Sequence, residues 1–197
     1  MERGYTVLKL KNNLPLELRE VPWKGDGLIF LINTTMKKKL KNKAVKLLIS
    51  LAAPIIIWAI SWLATSTGID SWYLTLTKPV FNPPNWIFGP VWSMLYLMIW
   101  YSFYQIWDKF WTLKKIPNKV KGIYALQLFL NFMWSITFFG MQNPWLWLIN
   151  ILVLWVVILI NISLFYKIKK SAGLLLVPYI FWVSFASLLN YAIFILN

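Results

Sequence analysis

Five long apolar stretches alternate with short polar connections along the 197-residue chain. Each stretch is close to the length of about 20 residues that a helix needs to cross a bilayer, and none has a charged residue in its interior. The pattern therefore predicts an all-α fold, an integral membrane bundle of five transmembrane helices. The predicted spans are approximately 46–67, 86–107, 121–139, 145–166 and 173–196.

The composition indicates that the apolar stretches are surrounded by a lipid bilayer rather than by water. The chain is 59% hydrophobic and 13% charged, whereas soluble domains are about 45–50% apolar and about 25% charged. A soluble fold would have to bury all five stretches with few charges left for its surface. We therefore expect membrane lipid as the surroundings of the spans.

Lysines lie on alternate connections. They are clustered before the first span, between the second and third, and between the fourth and fifth, whereas the remaining connections carry only Lys78. This alternation follows the positive-inside rule and predicts a cytoplasmic N-terminus and an external C-terminus. The net charge of +14 is thus explained by topology, and no nucleic-acid partner is expected.

Residues 1–35 differ from the rest of the chain because they are mixed in charge, broken by Pro and Gly, and lack a long apolar run. We expect them to form a mobile N-terminal tail. The functional membrane domain is then 36–197, beginning near Met36.

The chain contains no Cys and no His. Disulfides, thiol nucleophiles, Cys/His zinc sites, haem ligation by these residues and a catalytic histidine are therefore excluded. We expect no metal site and no obligatory cofactor.

Amides and aromatic rings are the remaining candidates for binding, and several share a helical face at spacings of three, four or seven residues. These sets are Trp92 and Tyr96 in the second span, Gln127, Asn131 and Trp134 in the third, and Tyr179, Trp182, Ala186 and Asn190 in the fifth. If they converge, they would form an uncharged cavity for a flat hydrophobic ligand. The ring- and proline-rich connection 68–85 would cover its open end as a stiff lid.

Two structural alternatives stay open. Amides also join helices by hydrogen bonds within membranes, which is the interpretation we favour for Asn150 and Asn161. Tryptophans also form belts at the membrane surface, and six lie near span ends: Trp72, Trp86, Trp107, Trp111, Trp145 and Trp147. For Trp92, Trp134 and Trp182, which lie deeper, cavity lining and plain packing are both consistent with the sequence.

Three segments resemble one known family. They are WYLTLTKPVFNPPNWIFGPVWSMLY at 72–96, ALQLFLNFMWSITFFG at 125–140 and VPYIFWVSFASLLNYAI at 177–193. In order and position they are similar to the TspO/translocator protein family, also called tryptophan-rich sensory proteins or peripheral-type benzodiazepine receptors. The resemblance covers roughly residues 45–194.

The resemblance implies a receptor or sensor, active in stress responses, that often forms a homodimer and binds porphyrins such as protoporphyrin IX under the first loop. Residues at matching motif positions are implied to line this pocket: Tyr73, Pro83, Trp92, Asn131, Trp134, Trp182 and Ala186. Tyr96 and Gln127 complete the candidate ligand-binding set, because they share faces with these residues. Porphyrin would thus be a ligand, or a substrate under the second hypothesis.

That second hypothesis is light-dependent oxidative degradation of porphyrin, with Trp92 and Trp182 as the photochemical candidates. The spans hold no conventional catalytic group, and they have no charged relay or repeat that would favour a third function, transport. Leu189 and Tyr191 are not followed by a basic residue, so the proposed cholesterol motif is incomplete and high-affinity cholesterol binding is not expected. The lysine pattern and short tail favour a bacterial plasma membrane.

Overall fold

The computed structural model describes residues 42–52, 54–61, 63, 65 and 72–197. The chain divides into two compact units, Met1–Ala44 and Val45–Asn197. Of the first unit only residues 42–44 are described. The expected tail, 1–35, therefore lies outside the described residues and stays a prediction, as does the start of the membrane domain at Met36.

The described part of the chain is mostly helical, with short connections, and has no strand. Helix α1 covers Asn42–Ser61. The remaining α-helices are α2 (Trp72–Thr75), α3 (Asn85–Phe110), α4 (Asn118–Ser135), α5 (Pro144–Ile168), α6 (Lys170–Leu174) and α7 (Val177–Leu196). A 3₁₀ turn covers Leu113–Lys115, and a π-helical turn, Ile136–Gly140, extends α4.

The predicted membrane bundle is confirmed. Four helical stretches among the described residues are long and apolar enough to cross a membrane by length and composition: Asn42–Ser61, Asn118–Gly140, Pro144–Ile168 and Lys170–Leu196. The fifth span is α3, whose 26 residues extend for about 39 Å at about 1.5 Å per residue. Its four tryptophans and three tyrosines lower its mean hydropathy, although such rings suit a membrane interface.

The predicted bounds agree closely with the structure for four spans. Spans 86–107, 121–139, 145–166 and 173–196 each fall within three residues of the observed helices. The first span, 46–67, begins four residues late relative to α1, and several residues near its predicted end lie outside the described part of the chain.

Local sequence explains where two of the helices begin. Pro84 precedes α3 with an extended backbone, and a proline near a helix start loses no hydrogen bond because the first N–H groups have no helical partner. Asn143 caps α5, since its Oδ1 accepts a hydrogen bond from the Leu146 N–H at 3.2 Å. Pro144 then occupies the first position of that helix.

Side-chain hydrogen bonds fasten α3 to α6 and to the last residue of α5. Ser102 Oγ donates to the carbonyl of Ala172 at 2.6 Å, and Ser171 Oγ donates to Gln105 Oε1, also at 2.6 Å. Lys109 Nζ, one turn further along α3, donates to the carbonyl of Ile168. At the lysine-rich end of the bundle, α3 is therefore held by three side-chain hydrogen bonds to neighbouring segments.

The prediction that Asn161 joins helices is confirmed. Its Nδ2 donates to Gln127 Oε1 at 2.8 Å, between α5 and α4, and both side chains are fully buried. Asn150 differs, because its buried Oδ1 has no hydrogen-bond partner among the described residues.

The predicted tryptophan belt is only partly correct. Trp86, Trp111 and Trp145 are largely exposed, as residues of a belt would be. Trp107 and Trp147 are buried, so for these two the belt assignment is wrong. Trp147 instead packs against Phe138, with ring centroids 4.6 Å apart, which shows that proximity to a helix end does not decide whether a ring faces lipid or protein.

Candidate functional site: an aromatic cavity

A cavity lies among the first span, α2, α3, α4 with its π-helical turn, and α7. Its empty volume is about 920 Å³, including the part open at its mouth.

Aromatic rings form much of the cavity wall. The rings of Trp92 and Trp134 are stacked with centroids 6.2 Å apart and planes inclined by 28°. Trp134 also stacks on Phe138 at 5.1 Å and meets Phe139 edge-on at 6.1 Å. These rings come from α3, α4 and the π-helical turn, so packing between separate segments builds one continuous aromatic surface.

The π-helical turn supplies two cavity residues that sequence reasoning missed. In this turn the Met141 N–H bonds to the carbonyl of Ile136 at 2.8 Å, five residues back. The wider turn changes the direction of Phe138 and Phe139 relative to a regular helix, and both line the cavity. Such turns are frequent at functional sites, but no residue pattern in this segment marks one.

Most polar groups near the cavity already have partners. Asn131 Nδ2 donates to the Tyr179 hydroxyl at 3.0 Å, and Trp134 Nε1 donates to Asn190 Oδ1 at 3.2 Å. Asn190 Nδ2 in turn donates to the carbonyl of Ala186 at 2.7 Å. These amides therefore fix the orientation of the rings. Tyr179 is fully buried and packs behind the lining residues.

The indole of Trp182 is different. Its Nε1 is buried and has no hydrogen-bond partner among the described residues, and its side chain lines the cavity. A buried donor without a partner costs about 1–3 kcal/mol. The ring itself is held by edge contacts with Phe88 at 6.1 Å and by Phe185 at 5.6 Å. A residue of the cavity wall thus carries a buried donor that has no partner among the described residues.

A hydrogen bond joins the cavity wall to the loop that follows α2. Tyr73, which lines the cavity, donates its hydroxyl to Asn82 Oδ1 at 2.8 Å. Burial raises the pKa of the Tyr73 phenol above its usual value, and the hydrogen bond to Asn82 offsets part of that rise. The phenol therefore stays protonated at physiological pH and continues to donate. The ammonium of Lys78 lies over the same ring, 4.7 Å from its centroid.

Seven of the nine predicted ligand-binding residues line this one cavity: Tyr73, Trp92, Tyr96, Asn131, Trp134, Trp182 and Ala186. Pro83 and Gln127 are not among the lining residues. The Pro83 carbonyl accepts a hydrogen bond from Asn82 Nδ2 at 3.1 Å in the adjoining loop. The Gln127 Oε1 accepts a hydrogen bond from Asn161. The ligand-binding role of all nine stays a prediction.

Further lining residues were not predicted as ligand-binding. They are Trp58, Ser61, Thr65, Asn85, Phe88, Gly89, Ser135, Phe138, Phe139, Leu189, Asn190 and Ile193. Asn190 shares a face with Trp182 and Ala186, so its spacing was a usable signal. The first span carried a similar signal, because Trp58, Ser61 and Thr65 lie at i, i+3 and i+7 on one helical face.

The cavity carries no charge within the part of the chain that the structure describes. Asp108 is the only acidic residue there, and it pairs with Lys46 at 3.7 Å near the lysine-rich end. No group of three or more His, Cys, Asp or Glu side chains that could hold a metal ion occurs among these residues. The described lining therefore offers ring faces and a few neutral polar groups.

Comparison with known proteins gives a consistent result. A family model described as TspO/MBR family matches residues 50–196. The tryptophan-rich protein TspO of Archaeoglobus fulgidus is 42% identical over 154 residues, which cover 78% of this chain and 97% of that relative. The tryptophan-rich sensory protein of Cereibacter sphaeroides is 31% identical over 128 residues, 65% of this chain and 78% of the relative. The translocator protein of Homo sapiens is 33% identical over 122 residues, 62% of this chain and 72% of the relative.

Proposed function

The chain belongs to the TspO/MBR family, a family of membrane proteins with sensor- and receptor-like members, and from this premise we propose that its cavity binds protoporphyrin IX or a similarly flat tetrapyrrole. The observation that carries the proposal is the uncharged, ring-lined cavity, whose wall includes Trp182 with an Nε1 donor that has no partner within the described part of the chain. The protein would act as a receptor that senses the ligand.

The aromatic wall supports a flat ligand. A macrocycle lying against Trp92 and Trp134 would gain offset ring contacts, each contributing about 0.5–1.5 kcal/mol beyond the burial of apolar area. Small-molecule sites typically combine such apolar walls with a small number of polar groups that fix orientation. Here Trp182 Nε1 is the donor available for a carbonyl or carboxylate oxygen.

Lys78 supports a ligand with carboxylates at its edge. It is the only lysine in the described part of the chain that lies between α2 and α3; the others lie in α1, around the connection from α3 to α4, or around the connection from α5 to α6. Its ammonium sits above the ring of Tyr73, a lining residue. Charge-assisted hydrogen bonds are about twice as strong as neutral ones, so the propionate groups of protoporphyrin would be favoured at this end.

A titration tests the proposal. Protoporphyrin IX and its uncharged dimethyl ester are added to purified protein in the dark, and quenching of tryptophan fluorescence is followed. We expect one-to-one binding of both forms, with the free acid bound about tenfold more tightly, and we expect Lys78→Gln to remove that preference. Lys169→Gln, which removes the same charge at the other end of the bundle, is the matched control.

The outcomes distinguish tetrapyrrole binding itself from the role proposed for Lys78. If neither form binds at micromolar concentration, the tetrapyrrole function is refuted. If both bind equally well to the unaltered protein, the cavity is still a tetrapyrrole site, but the role given to Lys78 is wrong.

A second candidate function is light-dependent oxidation of the bound pigment. It is favoured by the series of rings around Trp92, which lies 6.1 Å from Tyr96 and 6.4 Å from Tyr179 in addition to its contact with Trp134. Trp92 and Trp182 would be electron partners of the light-excited porphyrin, and dioxygen would be the oxidant. Illumination of the complex distinguishes the two functions, because a sensor gives no product whereas an oxidase gives product that Trp92→Phe suppresses.

Topology and assembly complete the proposal. The described lysines other than Lys78 lie in α1 or in and beside the α3–α4 and α5–α6 connections, including the adjoining helix ends, so we place that end in the cytoplasm and the C-terminus outside, in the plasma membrane of a prokaryotic cell. The homodimer belongs to the same proposal and is implied by membership of the family.

A further inference from the structure

Several lysines meet where the end of α3 contacts the end of α5. Lys109, near the end of α3, donates a hydrogen bond to the carbonyl of Ile168, the last residue of α5. Ile168 lies between Lys167 and Lys169 in the chain, and consecutive Cα atoms are only about 3.8 Å apart. All three lysines are exposed. A carbonyl oxygen orients the ammonium of Lys109 but cancels none of its charge, so the positive charges at this point stay uncompensated.

Acidic residues are scarce at this end of the bundle. Asp108 is the only acidic residue in the described part of the chain, and it pairs with Lys46 of α1 at 3.7 Å. The positive-inside rule accounts for the lysines but not for the scarcity of acidic residues, because Asp and Glu contribute little to orientation. Like charges held together repel one another and destabilise the folded chain. The excess of ammonium groups therefore indicates an anionic partner.

Trp111 indicates the depth in the membrane at which these lysines lie. It directly follows α3, its ring is 69% exposed, and Leu113 nearby is exposed as well. Its φ of 64° is a backbone conformation that bulky residues rarely adopt. Exposed tryptophan rings favour the level of the lipid headgroups. The ammonium of Lys46 is 5.8 Å from the centroid of this ring, so it lies near the same level.

We call this group of residues the lysine corner: Lys46, Lys109, Trp111, Lys167 and Lys169. We propose that the lysine corner binds the headgroup of an anionic phospholipid. The phosphate oxygens would accept charge-assisted hydrogen bonds from the ammonium groups, while the acyl chains remain in the bilayer beside α3. Basic clusters at the ends of membrane helices are suited to such headgroups, and the exposed indole favours a lipid over a soluble anion. The aromatic cavity is a separate site, because its lining includes none of these residues.

A fluorescent probe on a single cysteine tests the proposal, since the chain has no native cysteine. Thr112→Cys places the probe on an exposed residue next to Trp111, and Met141→Cys places it on an exposed residue beyond the opposite end of α4. Each labelled protein is reconstituted into phosphatidylcholine vesicles that contain a fixed small fraction of brominated phosphatidylglycerol or brominated phosphatidylcholine, which quench the probe on contact.

We expect stronger quenching by the anionic lipid at position 112 only. Each lysine near a membrane surface favours anionic lipid by about fivefold, so two or more lysines should give a preference of about tenfold or greater. At position 141 the preference should stay below about twofold, because the field of the lysine corner is screened over that distance.

Charge variants locate the site within the lysine-rich end. Lys109→Gln should reduce the preference at position 112 by about fivefold, whereas Lys109→Arg, which keeps the charge, should retain it. Asp108→Asn should raise the preference by about threefold, because it frees Lys46 from its carboxylate partner. Lys121→Gln is the matched control: it removes the same charge from the first turn of α4, outside the lysine corner, and should change the preference by less than about twofold.

The proposal is overturned if the probe at position 112 is quenched equally by both lipids. It is also overturned if Lys121→Gln lowers the preference as much as Lys109→Gln, since that result would indicate only the diffuse attraction of a basic surface. Loss of the preference in millimolar inorganic phosphate would show that the corner binds a free anion and not a lipid. A preference confined to position 112, lowered by Lys109→Gln and raised by Asp108→Asn, supports the lipid site. Failure of protoporphyrin to bind would refute the proposed function but would leave this result unaffected.

Discussion

Replacing Trp182 with Phe is expected to weaken protoporphyrin binding by about 10- to 100-fold, which is the typical loss when a hydrogen bond to a charged group is removed. The reason lies in the ligand-free protein, where Trp182 Nε1 is buried at the cavity without a partner among the described residues. A ligand carboxylate would satisfy this donor, and Phe cannot.

The same replacement should scarcely change the stability of the ligand-free protein. Removing an unsatisfied buried donor recovers about 1–3 kcal/mol, while the smaller ring loses a similar amount of packing against Phe88 and Phe185. We therefore expect the free energy of unfolding to change by less than about 1 kcal/mol. Denaturant titration in detergent and fluorescence titration with protoporphyrin measure the two quantities.

Trp155→Phe is the matched control, because it makes the same chemical change at an indole that has a partner. Trp155 Nε1 donates to Ser184 Oγ at 2.8 Å and lies outside the cavity lining. Here stability should fall by about 1 kcal/mol or more and affinity should stay unchanged. If Trp182→Phe binds protoporphyrin as tightly as the unaltered protein, the donor role of Trp182 is wrong.

Gly173→Ala is expected to destabilise the bundle by about 2–4 kcal/mol, the range for overpacking against a neighbour that cannot move away. A Cβ at this position would lie 2.6 Å from the Cβ of Tyr166 and 2.8 Å from its Cα and backbone nitrogen. The colliding atoms belong to the backbone of α5, so no rotamer change relieves the contact. Thermal unfolding followed by circular dichroism measures the loss.

The consequence should extend to α3, because the residues next to Gly173 fasten that helix. Ala172 accepts the hydrogen bond of Ser102 and Ser171 donates to Gln105. Gly122→Ala is the control, since nothing lies within 4 Å of its added Cβ. In a helix that change should be neutral or stabilising by up to about 1 kcal/mol. Equal stability of the two variants would show that the close approach of Gly173 to Tyr166 is not a constraint.

The five spans could be predicted from the sequence because a bilayer imposes length and apolarity on every crossing helix. Helical spacing also placed Asn131 and Trp134 on one face, and the structure brings both to the cavity. Helical spacing predicts on which face of a helix a residue lies, but not whether its position along the helix brings it to the cavity. Gln127 shares that face one turn further from the loop, where it meets Asn161 and pairs with it.

Other features had no sequence signal. The π-helical turn that directs Phe138 and Phe139 into the cavity arises from packing at the end of α4, and no residue pattern specifies it. The bond between Thr77 and Asn197 joins residues 120 positions apart, so it could only be found once the helices were assembled. The unpartnered state of Trp182 Nε1 is likewise a property of its neighbours and not of its own position in a motif.

One measurement tests the central claim most directly, because it reports where the ligand lies. Ser135→Cys, inside the cavity, and Thr112→Cys, on an exposed turn outside it, are each treated with maleimide in the dark, with and without one equivalent of protoporphyrin IX. We predict that protoporphyrin slows modification at position 135 by about tenfold or more, as expected for a ligand that buries most of its site, and leaves position 112 unchanged. Equal rates at position 135 with and without bound protoporphyrin would show that the tetrapyrrole binds elsewhere.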